Sequence, residues 1–401
     1  MNKTSENSES TRQILKLIYT RRQITRKDIG EITGFSKLTV AKIITSLIND
    51  GVIIETEPLD TEKGRKPLFI SPSPDYAYVI GIDIGSYSIK IGVVDFFGGI
   101  IEKKIQTVNI ADLVSPFSVM SFSELRTHIS QLVEKYGTDK LMGIGVGITG
   151  LVNSVLQTIV FCPNIIGYNN LAISSVLSEQ FKVPVMVDTS ARCMALGELY
   201  FGNPPYPSDL SFVSVGYSIA VGTIIAGKIF RGSNGFAGEL GHVKVDLEEH
   251  KVCTCGSYNC VEGYVTLPEM KNMIIKKLQG FKGYSLLKEK YERVGEMSYE
   301  DMVNAVSIGD KVAVEGFSEA IEKLCIVLAD YINLFNPASL VLGGGFFDLF
   351  PFVLPELERE LQKQCLTPSF RNVQLRLSEL SIDGAIKGSA MQIIQTAFLN
   401  A

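Results

Sequence analysis

The sequence predicts an α/β protein of more than one domain, preceded by a small basic domain. The chain has 401 residues, which is too long for a single compact core. Apolar segments of strand length alternate with longer helical segments from about residue 78 onward, which indicates an α/β fold. Residues 1–70 hold twelve Lys or Arg and nine Asp or Glu, a net charge of +3. Since the whole chain carries −5, the remainder carries −8, so we expect only the first segment to meet a polyanion.

Residues 1–72 are predicted to form a winged helix-turn-helix domain, which begins with two helices. The first helix is expected over Thr11–Arg22. Thr25 and Asp28 have the spacing of a capping box at the start of the second helix, and Gly34 has the place of its C-cap. The apolar residues of these two helices that we expect to face inward are Ile14, Leu15, Leu17, Ile18, Ile29 and Ile32.

Ser36 is expected to cap a third helix that runs to about Asp50. By helical spacing its inward positions are Leu38, Ala41, Ile44, Leu47 and Ile48. Residues 52–55 and 68–70 are predicted strands of a wing with a basic tip. Operator DNA is the expected partner, and the residues predicted to bind it are Ser36, Lys37, Thr39, Lys42, Arg65 and Lys66. A helical bundle that contacts another protein is the alternative.

Three of the seven cysteines lie within eight residues, and a histidine lies eleven residues before the first of them. The four residues are His242, Cys253, Cys255 and Cys260. One imidazole and three thiolates complete a tetrahedral zinc set with no position for a catalytic water, and Gly256 allows the tight turn. A disulfide is the alternative. No signal-peptide pattern opens the chain, so we expect a cytoplasmic protein with a structural Zn²⁺. His250 is a second, weaker candidate for the fourth ligand.

Residues 78–95 are predicted to form an apolar strand, a glycine-containing turn and a second strand. Asp83 and Gly85 lie at the bend, as in the first phosphate loop of actin-like (ribonuclease-H-like) ATPases. The glycine-rich run 143–150 permits either close approach of a ligand to the backbone or tight strand packing. With further strands and helices downstream, we predict a two-lobed actin-like ATPase-type domain. The sequence contains no run of eighteen apolar residues, so no membrane span is predicted.

Five segments carry a resemblance to a known family. They are GIDIG at 81–85, Pro163-Asn164, ALGE at 195–198, GELGH at 238–242, and Cys-x-Cys-Gly-x-x-x-Cys-x-Glu at 253–262. Together they resemble the ROK family (repressors, open reading frames and sugar kinases), over about residues 76–398. With a winged helix in front, the chain is similar to the repressor branch of this family, which includes regulators of xylose and N-acetylglucosamine genes.

The resemblance implies both a domain division and a sugar site. The division is 1–72 for the winged helix, 76–188 for a first lobe joined by a C-terminal helix at 383–401, and 189–382 for a second lobe with the zinc loop. The residues implied to bind sugar hydroxyls are Asn164, Glu239, His242 and Glu262. One ring nitrogen of His242 would bind zinc, which fixes the other as a donor to the sugar.

Comparison with the sugar kinases of the family argues against catalysis. Those enzymes typically read Glu-Asn-Asp-Ala-Asn, with the Asp as general base, where this chain has Asp188-Thr-Ser-Ala-Arg192. Ser190 therefore replaces the base, and Asp188 is not a direct substitute. Two glycine-rich phosphate loops are also altered, at 85–88 and 216–222. We predict no enzymatic activity, with an ATP-dependent sugar kinase that has an accessory DNA-binding head as the alternative.

The expected function is a DNA-binding transcriptional regulator, most simply a repressor of sugar-utilisation genes. A sugar, free or phosphorylated, is expected to relieve repression. The chain is expected to act as a homodimer or homotetramer, since two recognition helices fit a palindromic operator. In a further alternative, the body binds no small molecule and docks a protein partner instead.

Overall fold

The computed structural model describes residues 9–56, 68–107, 120–162, 165–202, 208–245 and 250–399. The chain divides into two compact units. The first unit is Met1–Pro205 with Asp383–Ala401, and the second is Tyr206–Ile382. Within the described ranges, no helix combines the length and apolar character needed to cross a membrane.

The amino-terminal domain is a three-helix core with a small antiparallel sheet. Its elements are α1 (Glu9–Arg21), β1 (Ile24–Thr25), α2 (Arg26–Thr33), α3 (Lys37–Asn49), β2 (Ile53–Thr56) and β3 (Phe69–Pro72). Strand β3 lies between β1 and β2 and is antiparallel to both. The capping box of Thr25 and Asp28, the left-handed C-cap at Gly34 and the cap at Ser36 are all present. These features confirm the predicted winged helix-turn-helix.

The core of this domain differs from the prediction at two residues. Its buried side chains include Ile14, Leu15, Ile18, Tyr19, Ile29, Val40, Ile44 and Leu47. Ile32 and Leu38, both expected to face inward, are 53% and 81% exposed. Ile32 lies in the last turn of α2, which buries Ile29. Leu38 lies nine residues before the buried Leu47, and at about 100° per residue this places it on the opposite side of α3.

The body of the first unit is a five-stranded sheet with helices. Its elements in chain order are β4 (Tyr78–Ile84), β5 (Ser88–Asp95), β6 (Ile100–Thr107), α4 (Phe122–Tyr136), β7 (Leu141–Ile148), β8 (Leu151–Asn153), β9 (Thr158–Phe161), α5 (Ile173–Phe181), β10 (Val185–Thr189) and α6 (Ser190–Phe201). The sheet order is β6-β5-β4-β7-β10. The first three strands are antiparallel, and β4, β7 and β10 are parallel. The predicted strand–turn–strand over 78–95 is confirmed as β4 and β5.

The second unit repeats this topology. Its elements are β11 (Leu210–Val215), β12 (Ile219–Ile225), β13 (Lys228–Ile229), α7 (Glu262–Val265), α8 (Leu267–Gly280), α9 (Leu286–Val294), α10 (Tyr299–Ser307), α11 (Lys311–Phe335), β14 (Ser339–Gly343), α12 (Gly345–Leu349), α13 (Leu354–Gln364), α14 (Thr367–Phe370) and β15 (Gln374–Leu377). The sheet order is β13-β12-β11-β14-β15, again an antiparallel meander extended by two parallel strands. Two units whose sheets have the same strand order and strand directions confirm the predicted actin-like architecture.

Helix α15 (Gly384–Ile394) returns the chain to the first unit and packs on both α6 and the sheet. A Cβ at Gly145 of β7 would lie 1.9 Å from the Ser389 carbonyl oxygen, and one at Gly388 would lie 1.6 Å from the Cys193 carbonyl oxygen. The glycine run of β7 thus serves tight packing, one of the two alternatives. Because α6 packs on α15, the boundary between the units lies after Pro205, whereas the sequence-based limit was placed after residue 188.

Helix α1 of the winged helix is fixed to the body of the same unit. The Tyr19 hydroxyl donates to the Phe96 carbonyl oxygen, and Arg22 Nη1 donates to the Phe97 carbonyl oxygen at 2.6 Å. The Arg22 guanidinium carbon lies 4.4 Å from the ring centroid of Phe97 and 4.6 Å from that of Phe201, the last residue of α6. Arg22 holds this position with a backbone φ of 63°. The winged-helix domain is therefore tied to the β5–β6 turn and to α6.

Candidate functional site

The four predicted zinc ligands converge in the second unit. The ligand atoms of His242, Cys253, Cys255 and Cys260 all lie within 4.8 Å of one another. The Cys253 Sγ lies 3.7 Å from His242 Nδ1, and the sulfurs of Cys255 and Cys260 lie 3.8 Å apart. Zn–S bonds of about 2.3 Å in a tetrahedron place neighbouring sulfurs about 3.8 Å apart. The cysteines are free thiols, and the donor set and its spacing fit zinc.

Backbone hydrogen bonds hold this loop in shape. Cys253 N–H donates to the Ser257 carbonyl oxygen at 2.7 Å, and Gly256 adopts a φ of 83° in the turn between them. The Asn259 side chain accepts from Lys251 N–H at 2.8 Å, so the two sides of the loop are joined. His250 lies outside the ligand group, with its ring against Tyr258. This placement favours His242 over His250 as the fourth ligand.

A proton and an ammonium group lie at the sulfurs that a metal ion would bind. Burial raises the pKa of Cys253 to about 11, so its thiol keeps its proton until a metal displaces it. The Lys244 ammonium contacts the Cys260 sulfur at 3.0 Å and the Ser257 hydroxyl at 2.7 Å. A metal ion would compete with this proton and with Lys244 for the sulfur electron pairs.

Two carboxylates flank the imidazole of the same group. Glu239 precedes the short 3-10 helix Leu240–His242, and its Oε2 lies 4.0 Å from His242 Nε2, the nitrogen that faces away from the sulfurs. Glu262 begins α7, and its Oε2 accepts from Ile219 N–H at 3.0 Å. Burial raises the pKa of Glu262, and the hydrogen bond from Ile219 and the nearby His242 oppose that rise. Three of the four predicted sugar ligands therefore lie close together, while Asn164 lies outside the described residues.

A second polar centre lies in the first unit and includes Ser190, which stands where the resemblance to sugar kinases implies a general base. The Asp83 carboxylate accepts from Lys90 Nζ at 2.6 Å and from the Ser190 hydroxyl at 2.5 Å. The Asp188 carboxylate accepts from Arg192 Nη1 at 2.8 Å, and this pair is fully buried. Each carboxylate is thus already compensated inside the protein.

Lys90 is a residue of this centre that sequence reasoning missed. In the β4–β5 hairpin Asp83 pairs directly with Lys90, so both side chains lie on one face of the sheet. The signal was present in the sequence, because a two-residue turn at Ser86-Tyr87, in which Gly85 N–H donates to the Ser88 carbonyl oxygen, sets that register.

The predicted DNA-binding residues of α3 lie at its first turns. Lys37 and Lys42 are exposed. The Ser36 hydroxyl accepts from Thr39 N–H at 3.1 Å and lies 2.8 Å from the Thr39 hydroxyl. Ser36 therefore caps the helix, and Thr39 is its hydrogen-bond partner. Arg65 and Lys66 of the wing tip lie outside the described residues.

Comparison with known proteins gives relatives for the whole chain. A xylose repressor of Caldicellulosiruptor bescii is 28% identical over 384 residues, covering 95% of this chain and 94% of that protein. The xylose repressor of Bacillus subtilis is 27% identical, with the same coverage. The DNA-binding transcriptional dual regulator NagC of Escherichia coli is 27% identical, covering 94% of this chain and 90% of its own length.

Solved structures agree on the fold. A ROK family transcriptional regulator, described as a homologue of the Escherichia coli MLC protein, matches with a TM-score of 0.78 at 23% identity and covers 97% of this chain. A ROK family glucokinase from Streptomyces griseus, in complex with glucose and AMPPNP, matches with a TM-score of 0.65 at 25% identity and covers 79%. A winged helix-turn-helix DNA-binding model matches residues 7–54. The ROK family model matches residues 79–396, most of the chain, and the protein therefore belongs to the ROK family.

Proposed function

We propose that this protein is a transcriptional repressor that binds operator DNA through its winged helix and leaves it when a sugar binds the body. One observation carries the proposal: the similarity to relatives named as repressors or as a DNA-binding transcriptional dual regulator runs through both the winged helix and the body, over 94–95% of this chain. A free-standing sugar kinase would share the body alone. The ligand can shift DNA affinity only by binding the two states of the protein unequally.

The DNA-binding part of the proposal rests on α3 and the wing. A homodimer would place two copies of α3 in successive major grooves, about 34 Å apart, of a palindromic operator. Lys37 and Lys42, both exposed, are the proposed contacts on α3, together with Ser36 and Thr39. Arg65 and Lys66 are the proposed phosphate contacts of the wing. Replacing Lys37 or Arg65 by alanine should weaken binding and reduce its salt dependence by about one counterion per contact.

The absence of kinase activity is supported by the polar centre of the first unit. A general base must accept a proton, and Mg²⁺ needs carboxylate oxygens. The Asp83 oxygens already accept from Lys90 and Ser190, and Asp188 is neutralised by Arg192. A coupled assay of ADP release with ATP, Mg²⁺ and a panel of hexoses, pentoses and amino sugars should give no turnover. Sugar-dependent ADP release would instead establish the kinase alternative.

The sugar site is proposed at Glu239, His242 and Glu262, with Asn164 as a further ligand. Zinc on His242 and the three cysteines would fix the loop and orient the imidazole, and it would take no part in chemistry. Carboxylates suit this task because each can accept hydrogen bonds from two sugar hydroxyls. D-xylose and N-acetylglucosamine are the first ligands to test, because the relatives carry those names.

Mobility-shift titrations of the protein on its operator test the proposal directly. One sugar of a panel that includes both candidates and their phosphates should release the DNA. Glu262→Gln should raise the sugar concentration needed by at least about tenfold, since it removes a charge that strengthens hydrogen bonds to hydroxyls. Glu269→Gln is the control, because Glu269 in α8 pairs with Lys251. Release by none of the sugars, with a protein partner found by pull-down, would favour the docking alternative.

A further inference from the structure

The outward side of α3 carries a continuous exposed stripe. Leu38, Lys42, Thr45 and Asn49 recur every three or four residues and are all exposed. Val40, Ile44 and Leu47 are buried on the other side of the helix. Helix α3 itself contains no acidic residue, so no side chain of the helix would repel a phosphate backbone. The stripe is the face of α3 that the rest of the domain does not cover.

Leu38 is the apolar member of this stripe. It is 81% exposed, whereas the other large apolar side chains of α3 are buried or half-buried. A single exposed leucine is ordinary on a protein surface and carries no meaning by itself. Its position is what matters. It lies in the first turn, which Ser36 caps, and recognition helices of this type contact base edges with their amino-terminal residues.

We propose that Leu38 contacts the C5-methyl group of a thymine in the major groove, and so selects an A·T pair at one position of each half-site. This inference rests on the proposed DNA-binding function. In the major groove thymine presents an apolar methyl group, which cytosine lacks, and an apolar side chain is its natural partner. Lys42 lies one helical turn further along the same stripe, where it can reach an adjacent base edge or phosphate. Leu38 would thus supply an apolar contact to the base pair, and Lys42 a cationic contact next to it.

Selection from random double-stranded DNA with the full chain is the first experiment. The wild-type protein should enrich a palindrome, and Leu38→Ala should lose the preference for thymine at one symmetric position while the other positions keep theirs. Ile32→Ala is the matched control: it also removes an exposed apolar side chain, 53% exposed, but from the last turn of α2. Its selected sequence should match that of the wild type.

Replacing that thymine by deoxyuracil tests the contact at the level of one methyl group. The substitution should weaken wild-type binding by about threefold to fivefold per half-site, as expected for one methyl group removed from apolar contact. Leu38→Ala should bind the thymine and deoxyuracil operators equally. An unchanged melting temperature of Leu38→Ala will show that the fold is intact.

The outcomes separate this inference from the proposed function. If the wild type enriches no sequence, DNA binding itself is refuted. If it enriches a sequence that Leu38→Ala enriches equally, or if deoxyuracil weakens both proteins equally, the reading of thymine by Leu38 is wrong and the repressor proposal stands.

Discussion

The polar centre of the first unit and the Cys/His group of the second unit differ in how their charged and polar groups are compensated. In the first unit, the Asp83 carboxylate is matched by the Lys90 ammonium, and the Asp188 carboxylate by the Arg192 guanidinium. In the second unit, an imidazole and three thiols bring four electron-pair donors within 4.8 Å of one another. In the first centre each carboxylate has a cationic partner, whereas in the second only the Cys260 sulfur is reported in contact with an ammonium group, that of Lys244, among the described residues.

This difference decides which ions each centre could bind. A carboxylate that is already paired in a buried site must lose its partner before it can bind Mg²⁺, and breaking such a pair is costly. Converging sulfur and nitrogen donors instead match what zinc requires. The first centre thus contains its own cations, Lys90 and Arg192, whereas the second offers donors of the kind that zinc binds.

The largest effect is expected from loss of a zinc ligand. His242→Ala should abolish stoichiometric zinc, measured by elemental analysis of protein purified without chelator, and should lower the melting temperature strongly. Zinc binding free energies of about 10–16 kcal/mol in zinc-finger peptides show the scale. Sugar-dependent stabilisation should disappear as well, because His242 and Glu262 lie on the same loop system.

His250→Ala is the control for this experiment, since His250 lies outside the ligand group. It should keep one zinc per chain and an unchanged melting temperature. A wild-type protein without zinc, or zinc lost from His250→Ala and kept in His242→Ala, would contradict the proposed ligand set.

A smaller but still large effect is expected at the first centre. Lys90→Met leaves Asp83, whose side chain is 3% exposed, without its ammonium partner. Breaking a buried pair from one side costs about 3–5 kcal/mol. Urea unfolding followed by far-ultraviolet circular dichroism measures this, since the chain has no tryptophan.

The double variant Asp83→Asn with Lys90→Met sharpens the comparison. It removes both charges, so most of the lost stability should return. If Lys90→Met alone leaves the unfolding free energy unchanged, the first centre is not held by this pair. Mg²⁺-ATP binding by Lys90→Met but not by the wild type would show that Lys90 does occupy the place of the ion.

Sequence reasoning found the second centre more completely than the first, for a physical reason. The candidate zinc ligands Cys253, Cys255 and Cys260 are close in sequence, and their suitability for a metal depends on residue type and spacing alone. The pairing of Asp83 with Ser190 joins residues 107 positions apart and follows from the parallel alignment of β4, β7 and β10. A local pattern shows that Ser190 is no base, but not what its hydroxyl contacts.

In the winged helix, too, features that depend on neighbouring residues were predictable and one that depends on the packing of the whole domain was not. Caps at Thr25, Gly34 and Ser36 were predictable, because each acts within one turn of the chain. Leu38 is predicted to face inward from its three-residue spacing to Ala41, yet it is exposed because it lies about 180° around α3 from the buried Leu47. Spacing to one neighbour is thus a weaker guide to the buried face of a helix than the phase over several turns.

The smallest effect is expected at Arg22, which is compensated by a carbonyl oxygen and two ring faces rather than by a carboxylate in contact. Arg22→Ala should cost about 1–2 kcal/mol, from one hydrogen bond and a half-buried cation–π contact. Because these contacts join α1 to the β5–β6 turn and α6, amide hydrogen exchange should accelerate at the end of α1 and at 96–97. Arg21→Ala is the control and should leave exchange unchanged, because Arg21 is the exposed last residue of α1. If both variants exchange alike, the contacts of Arg22 do not fix the winged-helix domain to the body. Charge compensation that matters for stability is then confined to the buried carboxylates of the first unit.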